Sequence, residues 1–473
     1  MTSRENLQAL SEAARALEPD AEQRAILMAA VQAHAERYLS GLAKASTYSG
    51  RAATVRPGFP ETPVPLADAL AHVADQVEGT GITTASGRFL GYIPGGGLFH
   101  AALGDFLAAV SNKYAGFTPA APGAVRLENA CVRWLSDVIG FGPSAAGTLT
   151  SGGSIANLAA VVAAREASDG EGGGAVYLAP TAHHCVGKAL RIAGRGGAPK
   201  RLISLDERGR MSLPALAAAL EQDRRDGVRP WLVVASAGTV DAGAVDPLAD
   251  IAELCERHGA WFHVDGAYGG LFRLCPEGET ALGGIERADT VAVDPHKTLF
   301  LPYGTGAVLA RDGSRMRDAF SATADYLTEF AAHEDVSPSD MSPELTRHFR
   351  ALRLWLPLQL AGVAAFRAAQ SEKIGLARHM HARLADLSDW DAGHAPDLSV
   401  LAFRYRPGTG DIDVFNERLT QRIQEGGRVF ISGTRLHGRV HLRAAILSFR
   451  THLEHIDEAL DVLQHAARQV EAE

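Results

Sequence analysis

Residues 290–311, TVAVDPHKTLFLPYGTGAVLAR, constrain this chain most. They open on a short β-branched run, 290–293, of the kind that forms a buried strand. Asp294, Pro295, His296 and Lys297 then break the run and leave a lysine at its carboxyl end. Pro302 and Gly304 turn the chain, and 306–310 reads as the next strand. A lysine between two buried strands is costly unless it has a task, because lysine is rarely buried without a partner. Upstream, WFHVDGAYGG at 261–270 is another apolar run that ends in an acid, Asp265. Asp265 and Lys297 stand 32 positions apart, about one βαβ unit. Two successive strands therefore bring an acid and an amine to one sheet edge. In open α/β sheets the carboxyl edge is where ligands bind.

An amine and a carboxylate presented together suit pyridoxal phosphate. The lysine would form an internal aldimine, and the acid would keep the pyridine nitrogen protonated so that the ring withdraws electrons. A plain Asp–Lys ion pair accounts for these two residues equally well. Residues 147–164, GTLTSGGSIANLAAVVAA, add a second feature. Ser151, Gly152, Gly153 and Ser154 open a helix whose body is 155–165. A small-residue turn at a helix N-terminus binds anions through its free N–H groups and the helix dipole. No Gly-Lys-Ser/Thr follows, so the turn is not a Walker A loop. Alone, it also reads as an ordinary N-cap.

From there strands and helices alternate: 175–179 then 183–193, 201–205 then 213–222, 231–236 then 247–258. That alternation predicts a mostly parallel sheet wrapped by helices. His183 and His184 follow the first of these strands and Thr239 follows the third. A histidine there is either a helix-start residue without a role or a ring that stacks on an aromatic cofactor. Residues 88–97, RFLGYIPGGG, form a Gly/Pro loop, either a solvated turn or a wall of the substrate cavity that presents Phe89, Tyr92 and Ile93. Helices are expected at 101–115 and 125–139.

Residues 5–42 have helical composition, 54–65 is Pro-rich and extended, and 66–77 is a further helix. This arm is too small to form its own core, so it is expected to pack on a partner subunit and make the protein a homodimer. Past residue 311, 314–340 is polar and reads as a mobile loop. A long helix follows at 344–370 with Pro357 as a kink, then a helix at 374–387. Strands at 398–405, 429–432 and 440–442 and helices at 412–424 and 453–469 make a small α+β domain. Arg443 and Arg435 are candidates for the polar wall of the cleft between the domains.

Composition excludes several classes. A net charge of −9, spread without blocks, argues against nucleic acid as a partner. The four cysteines show no C-x-x-C spacing, so neither a metal site nor a disulfide scaffold is expected, and a reducing cytoplasm fits. The first residues lack the apolar core of a signal peptide. The longest uncharged stretch is too rich in Gly, Ser and Thr to span a membrane.

In order, TSGGSIAN, the Ala-His of TAHHCVGKA, SAGTVDAGAVDP, HVDGAY and DPHK resemble the group II pyridoxal-phosphate-dependent amino acid decarboxylases, the family of aromatic-amino-acid and glutamate decarboxylases. The match runs from about residue 89 to the C-terminal helix. It implies an α/β protein of the type I aminotransferase-like fold: an N-terminal helical arm (1–85), a large domain with a mostly parallel seven-stranded sheet (86–313), a mobile loop and connecting helix (314–370) and a small α+β C-terminal domain (371–473). It implies Lys297 as the Schiff-base lysine and Asp265 at the pyridine nitrogen. His183 would stack on one ring face and Ala267 pack under the other. Ser151, Gly152, Gly153, Ser154 and His296 would hold the phosphate, and Thr239 would lie near the phenolic oxygen or the substrate carboxylate. Phe89, Tyr92, Ile93 and Phe117 are expected at the substrate side chain, and the homodimer is expected to have composite active sites.

The implied reaction is decarboxylation of an L-amino acid to its amine through a quinonoid. One departure bears on it. The family's aromatic-amino-acid members carry a tyrosine on the mobile loop that protonates the quinonoid carbon. Here 329–347, EFAAHEDVSPSDMSPELTR, has none; Tyr326 and His333 are the nearest proton donors. Oxidative deamination to an aldehyde, or β-elimination, is the alternative fate. A tyrosine near Val336 or Ser337 would be expected to restore the amine. A non-catalytic cofactor-binding scaffold is disfavoured, because every cofactor residue is present.

Overall fold

The computed structural model describes residues 3–54, 58–168, 174–321 and 335–473. The chain begins with α1 (Arg4–Ala14) and α2 (Ala21–Gly41). They are not the single helix expected over 5–42: Pro19 separates them, and Asp20 starts α2 with a capping box to Gln23. Neither helix buries a residue in its own chain. A two-residue strand β1 (Tyr48–Ser49), α3 (Leu66–His72) and β2 (Gly81–Ile82) complete the arm, β1 pairing with β2.

Two helices then precede the sheet: α4 (Phe99–Ser111), which packs on the later helix at 351–361, and α5 (Pro122–Ile139), which packs on the first sheet strand. The chain enters the sheet through β3 (Ala146–Thr150), an element the sequence reading did not anticipate, and leaves it through α6 (Gly153–Glu166). It continues as β4 (Ala175–Leu178), α7 (His184–Ile192), β5 (Lys200–Leu202), α8 (Leu213–Arg225), β6 (Pro230–Ser236), α9 (Leu248–His258) and β7 (Trp261–Gly266). After α10 (Pro276–Ala281) come β8 (Thr290–Val293), the one-turn α11 (Pro295–Thr298), β9 (Gly306–Ala310) and α12 (Gly313–Phe320).

These strands form one seven-stranded sheet in the order β3-β9-β8-β7-β6-β4-β5. Only β9 runs against its neighbours. The others are parallel, so their carboxyl ends share one edge. β6 and β8 are buried along their whole length, as expected of strands covered by helices on both faces. This is the α/β architecture that the sequence implied.

The connecting helices differ from expectation. No helix starts at 344; α13 (Ala351–Ala361) begins later and keeps Pro357 inside it. The break falls at Gly362, whose φ of 75° and ψ of 148° leave helical space. α14 (Val363–Ala385) then runs unbroken through 370–374. The small domain is a four-stranded antiparallel sheet, β10 (Trp390–Asp391), β11 (Val400–Tyr405), β12 (Ser432–Leu436) and β13 (Arg439–Ala445), in the order β10-β11-β13-β12. α14, α15 (Ile412–Gly426) and α16 (Leu453–Glu471) pack on it around Phe403, Leu419, Leu442 and Leu460. The strand expected at 429–432 begins only at Ser432; Phe430 instead bridges to Phe89.

Candidate active site

Five parallel strands, β3, β4, β6, β7 and β8, end at one edge, and the turns that follow them wall a cavity of about 580 Å³. Ser151, Gly152, Gly153, Ser154, His183, Thr239, Asp265, Ala267, His296 and Lys297 all line it, as do Tyr92 and Ile93. A larger hollow of about 940 Å³ lies between α15 and α16. Its two arginines are already paired, Arg428 with Glu458 and Arg422 with Glu473, and it holds none of the candidates.

The turn after β3 is built for close approach. Gly152 has φ +152°, a conformation that side chains avoid, and an added Cβ would lie 3.3 Å from the His296 ring. It begins α6, whose Gly153 and Ser154 N–H groups face the cavity end with no described acceptor. Asn157, the last residue of TSGGSIAN, holds this turn to the sheet. Its amide donates to the Gly153 carbonyl at 2.8 Å, and its Oδ1 accepts from His263 Nε2 at 2.8 Å. His263 Nδ1 then accepts from the Thr290 hydroxyl at 3.0 Å. Burial pushes the His263 imidazole down to about 4, so the ring is neutral, with Nε2 as its donor and Nδ1 as its acceptor.

At the end of β8, Asp294 precedes the turn of α11 without a side-chain bond to it, and Lys297 lines the cavity. Lys297 Nζ lies 2.9 Å from Asp294 Oδ2. Burial alone would lower the Lys297 pKa, but the Asp294 charge and hydrogen bond, with Asp265 behind them, raise it above the ordinary value. His296 Nδ1 donates to the Thr305 carbonyl at 2.7 Å, and burial lowers its pKa. Asp294 Oδ1 is buried with no hydrogen-bond partner.

The middle of the cavity is flanked by His183 and Ala267. His183 Nδ1 accepts from the Cys185 N–H at 3.3 Å, which leaves Nε2 as the donor of the neutral ring. Burial lowers its pKa against the pull of Asp265. The Ala267 N–H donates to Asp265 Oδ1 at 3.2 Å, fixing the carboxylate at the end of β7. Thr239 closes the turn after β6: its Oγ1 accepts from Ala244 N at 3.2 Å and its hydroxyl proton stays free. The buried Thr181 hydroxyl also lines the cavity without a partner. An anion cradle, an amine, a carboxylate and unpartnered polar atoms in one cavity fit pyridoxal phosphate.

The outer wall comes from the small domain. Arg443, on β13, is 4 % exposed and lines the cavity. It donates to the Tyr92 carbonyl at 2.5 Å, its Nε has no partner, and no carboxylate lies within ion-pair distance among the described residues. Tyr92 itself holds a φ of +49°, rare for a side-chain-bearing residue. Ser432, Thr434 and Asp241 complete this wall, Thr434 donating to Asp241 at 3.1 Å. Sequence reasoning missed Asp294, Thr181 and Asp241. It named Arg443 only beside Arg435, which is exposed and paired with Glu417 at 2.6 Å. Phe89 and Phe117 are not at the wall of their own chain's cavity: Phe89 packs on Phe430 with ring centroids 5.4 Å apart. Tyr326 and His333 lie outside the described residues. Ser337 is buried, its Oγ accepting from Thr118 N at 3.0 Å, and Asn129 binds the Val336 carbonyl, so neither 336 nor 337 faces this cavity.

Residues 53–406 match the family model of the pyridoxal-dependent decarboxylase conserved domain. The aromatic-L-amino-acid decarboxylase of Bacillus atrophaeus is 35% identical over 392 residues, 81% of this chain and 82% of that protein. The crystal structure of Oryza sativa TDC with PLP and tryptamine has the same fold, with a TM-score of 0.88 at 23% identity, covering 96% of this chain and 99% of the other. Rhodiola rosea 4-hydroxyphenylacetaldehyde synthase also shares it, with a TM-score of 0.86 at 19% identity over 95% of this chain and 99% of the other.

Proposed function

Because the chain belongs to the pyridoxal-dependent decarboxylase family, we propose that the cavity residues divide the labour of amino acid decarboxylation among them. The protein is a pyridoxal-phosphate-dependent lyase that acts on an amino acid. The bound cofactor supplies the sink for the electrons left behind as carbon dioxide departs. Lys297 is the amine that holds it. Asp265, fixed by the Ala267 N–H, keeps a positive charge at the pyridine nitrogen. Ser151, Gly152, Gly153 and Ser154 take the phosphate with help from His296, and His183 and Ala267 take the two ring faces. Thr239 offers its free hydroxyl proton to the phenolic oxygen or the substrate carboxylate. Arg443, buried without an anionic partner, attracts that carboxylate. Tyr92 and Ile93 receive an apolar or aromatic side chain.

One observation supports this most: the acid, the amine, the imidazole and the anion cradle come from four different turns and meet in one cavity. The outward apolar residues Phe99, Leu103, Phe106, Leu107 and Val110 on α4, with Ile26, Leu27 and Val31 on α2, support a homodimer. Phe117 would then complete the cavity of the other protomer. A cytoplasmic location fits the four buried free cysteines.

A second reading concerns the product. The carbon that loses carbon dioxide must regain a proton to give the amine. Tyr268 is unsuited to supply it, since its hydroxyl is held by Ser399 at 2.9 Å and burial pushes its pKa up to about 12. Without a donor, dioxygen can take two electrons and leave as hydrogen peroxide, and water then hydrolyses the resulting imine to an aldehyde and ammonia. The test is a panel of aromatic L-amino acids, with carbon dioxide, amine, aldehyde, ammonia, peroxide and oxygen uptake measured together. Amine equal to carbon dioxide with no oxygen uptake establishes plain decarboxylation. Carbon dioxide from none of the panel sinks the aromatic assignment.

A further inference from the structure

Lys297 stands between two anchored neighbours on the one-turn α11. On one side, His296 donates to the Thr305 carbonyl, from Nδ1 at 2.7 Å and from its backbone N–H at 3.1 Å. On the other, Thr298 is 1 % exposed and its hydroxyl donates to the Tyr268 carbonyl. A threonine hydroxyl in a helix ordinarily turns back to the carbonyl one turn before it. This one instead reaches a residue 30 positions earlier, on the turn after β7. Lys297 itself has only local backbone bonds. Its N–H donates to the Asp294 carbonyl at 2.8 Å, and its carbonyl accepts from Phe300 N at 3.1 Å.

Tyr268 follows Ala267, whose N–H holds Asp265. The Thr298–Tyr268 bond therefore ties the turn that carries the amine to the turn that carries the carboxylate. The small domain holds both ends of this tie. Gln370, fully buried on α14, donates from Nε2 to the Thr298 carbonyl at 3.1 Å. Ser399, just before β11, donates its N–H to the Tyr268 hydroxyl at 2.9 Å, and the two hydroxyls also lie 2.9 Å apart. Buried bonds of this kind are costly to lose, because water cannot replace them. The strands do not need the tie: β7 and β8 already pair directly from His263 with Thr290 to Gly266 with Val293. Its effect falls on the turns beyond the strand ends. Thr298 does not line the cavity, so it acts through its neighbours.

We propose that Thr298 is a positioning residue, whose hydroxyl sets the turn of Lys297 against the turn of Asp265 and Ala267. The pyridine ring is rigid. Its nitrogen can meet Asp265 while its aldehyde meets the Lys297 amine only if the two turns keep their spacing, and small misplacements of reacting groups are costly. The cradle that takes the phosphate comes from α6 and His296, and His296 has its own anchor on Thr305. Loss of the Thr298 hydroxyl should therefore weaken the bond to Lys297 and leave the cradle intact. This rests on the pyridoxal phosphate assignment and adds to it a residue that touches neither cofactor nor substrate.

The test compares two ligands on the full-length protein, with Kd read by protein fluorescence quenching. The aldehyde of pyridoxal phosphate condenses with the Lys297 amine and releases water. Pyridoxamine phosphate has the same ring and phosphate but carries an amine at that carbon, so it cannot. Thr298→Val keeps the side chain's shape and removes its donor. It should weaken pyridoxal phosphate about tenfold, the loss expected of one buried hydrogen bond, and pyridoxamine phosphate less than about twofold. Thr298→Ser keeps the hydroxyl and should stay within about twofold of wild type for both ligands. Equal weakening of both ligands by Thr298→Val would mean a general structural role and overturn the proposal. So would unchanged pyridoxal phosphate affinity, or a loss in Thr298→Ser as large as in Thr298→Val. Circular dichroism checks each variant. Should Thr298→Val fail to fold, Thr298→Ala takes its place with the same expected outcomes. If the folded wild type binds neither ligand, the cofactor assignment itself falls, and the proposal with it.

Discussion

The carboxyl edge of the large sheet and the N-terminal arm are opposites in construction. At the edge, polar groups are fixed by short chains of hydrogen bonds inside one protomer: Thr290 to His263 to Asn157 to the Gly153 carbonyl, or the Ala267 N–H to Asp265. The arm has regular helices with good caps, yet α1 and α2 bury nothing, and Leu7, Leu10, Leu17 and Ile26 are exposed. Helix α4 contains both situations. Ala101, Gly104 and Ala108 pack inward, and a Cβ at Gly104 would lie 2.4 Å from the Leu352 carbonyl, while Phe106 and Leu107 point outward. The comparison teaches that the polar groups of the edge are fixed within one protomer, whereas the arm leaves apolar side chains that the proposed homodimer would cover.

The largest expected effect lies at the edge. Lys297→Ala should lower turnover by about 10³-fold or more, with the circular dichroism spectrum retained. Turnover by purified variant at a tenth of the wild-type rate would remove the basis for calling this edge the active site. Next comes the arm's side of the contrast. Phe106→Lys with Leu107→Lys puts two charges on the outward face of α4 without touching its packed face. Sedimentation should show monomers, and activity should fall about tenfold or more if the sites are composite, while pyridoxal phosphate still binds. Fully active monomers would show that the edge needs nothing from a partner.

The legibility of the sequence follows the same division. Strands β6, β7 and β8 were readable because burial on both faces demands uninterrupted apolar runs, and the residues that break those runs, Asp265 and Lys297, were thereby marked. β3 was not, because AGTLT mixes small and polar residues; it is buried by its position between β9 and α5 rather than by its own composition. Asp294 looked like helix punctuation before a proline, and only the fold turns its carboxylate onto three glycines. Arg443 was one among 46 basic residues until β13 carried it to the cavity. Phe89 was misleading for the converse reason: a loop aromatic reads as a cavity wall, but its neighbour across the fold is Phe430.

The hydrogen-bond chain at the edge should also set the protein's acid limit. The His263 imidazole is pushed down to about 4 from an ordinary 6.5. A histidine whose folded pKa is depressed contributes stability that is present above 6.5 and lost as pH falls toward 4, because the unfolded chain takes up the proton first. The loss saturates at roughly 3 kcal/mol by this shift. His263→Asn should flatten the fall of the urea midpoint between pH 6.5 and 4.5. An identical fall in wild type and variant would assign acid sensitivity elsewhere.

The smallest expected effect tests the arm without breaking it. Leu10, on α1, is 57% exposed and belongs to a helix that packs no side chain into the protomer's core. Leu10→Ala keeps helix propensity high, since alanine and leucine are both strong helix formers. At protein concentrations low enough to hold monomers, its urea midpoint should match the wild type, the difference corresponding to less than about 0.5 kcal/mol. The same truncation at Leu149, which is fully buried in β3, should cost about 2–5 kcal/mol at every concentration. As concentration rises, a wild-type arm docked on a partner gains stability by mass action, and Leu10→Ala should lag behind it. The informative quantity is thus the concentration dependence rather than the midpoint itself. A Leu10→Ala deficit of the same size at all concentrations would mean that α1 packs on its own protomer, and the contrast between a self-sufficient edge and a partner-dependent arm would no longer hold.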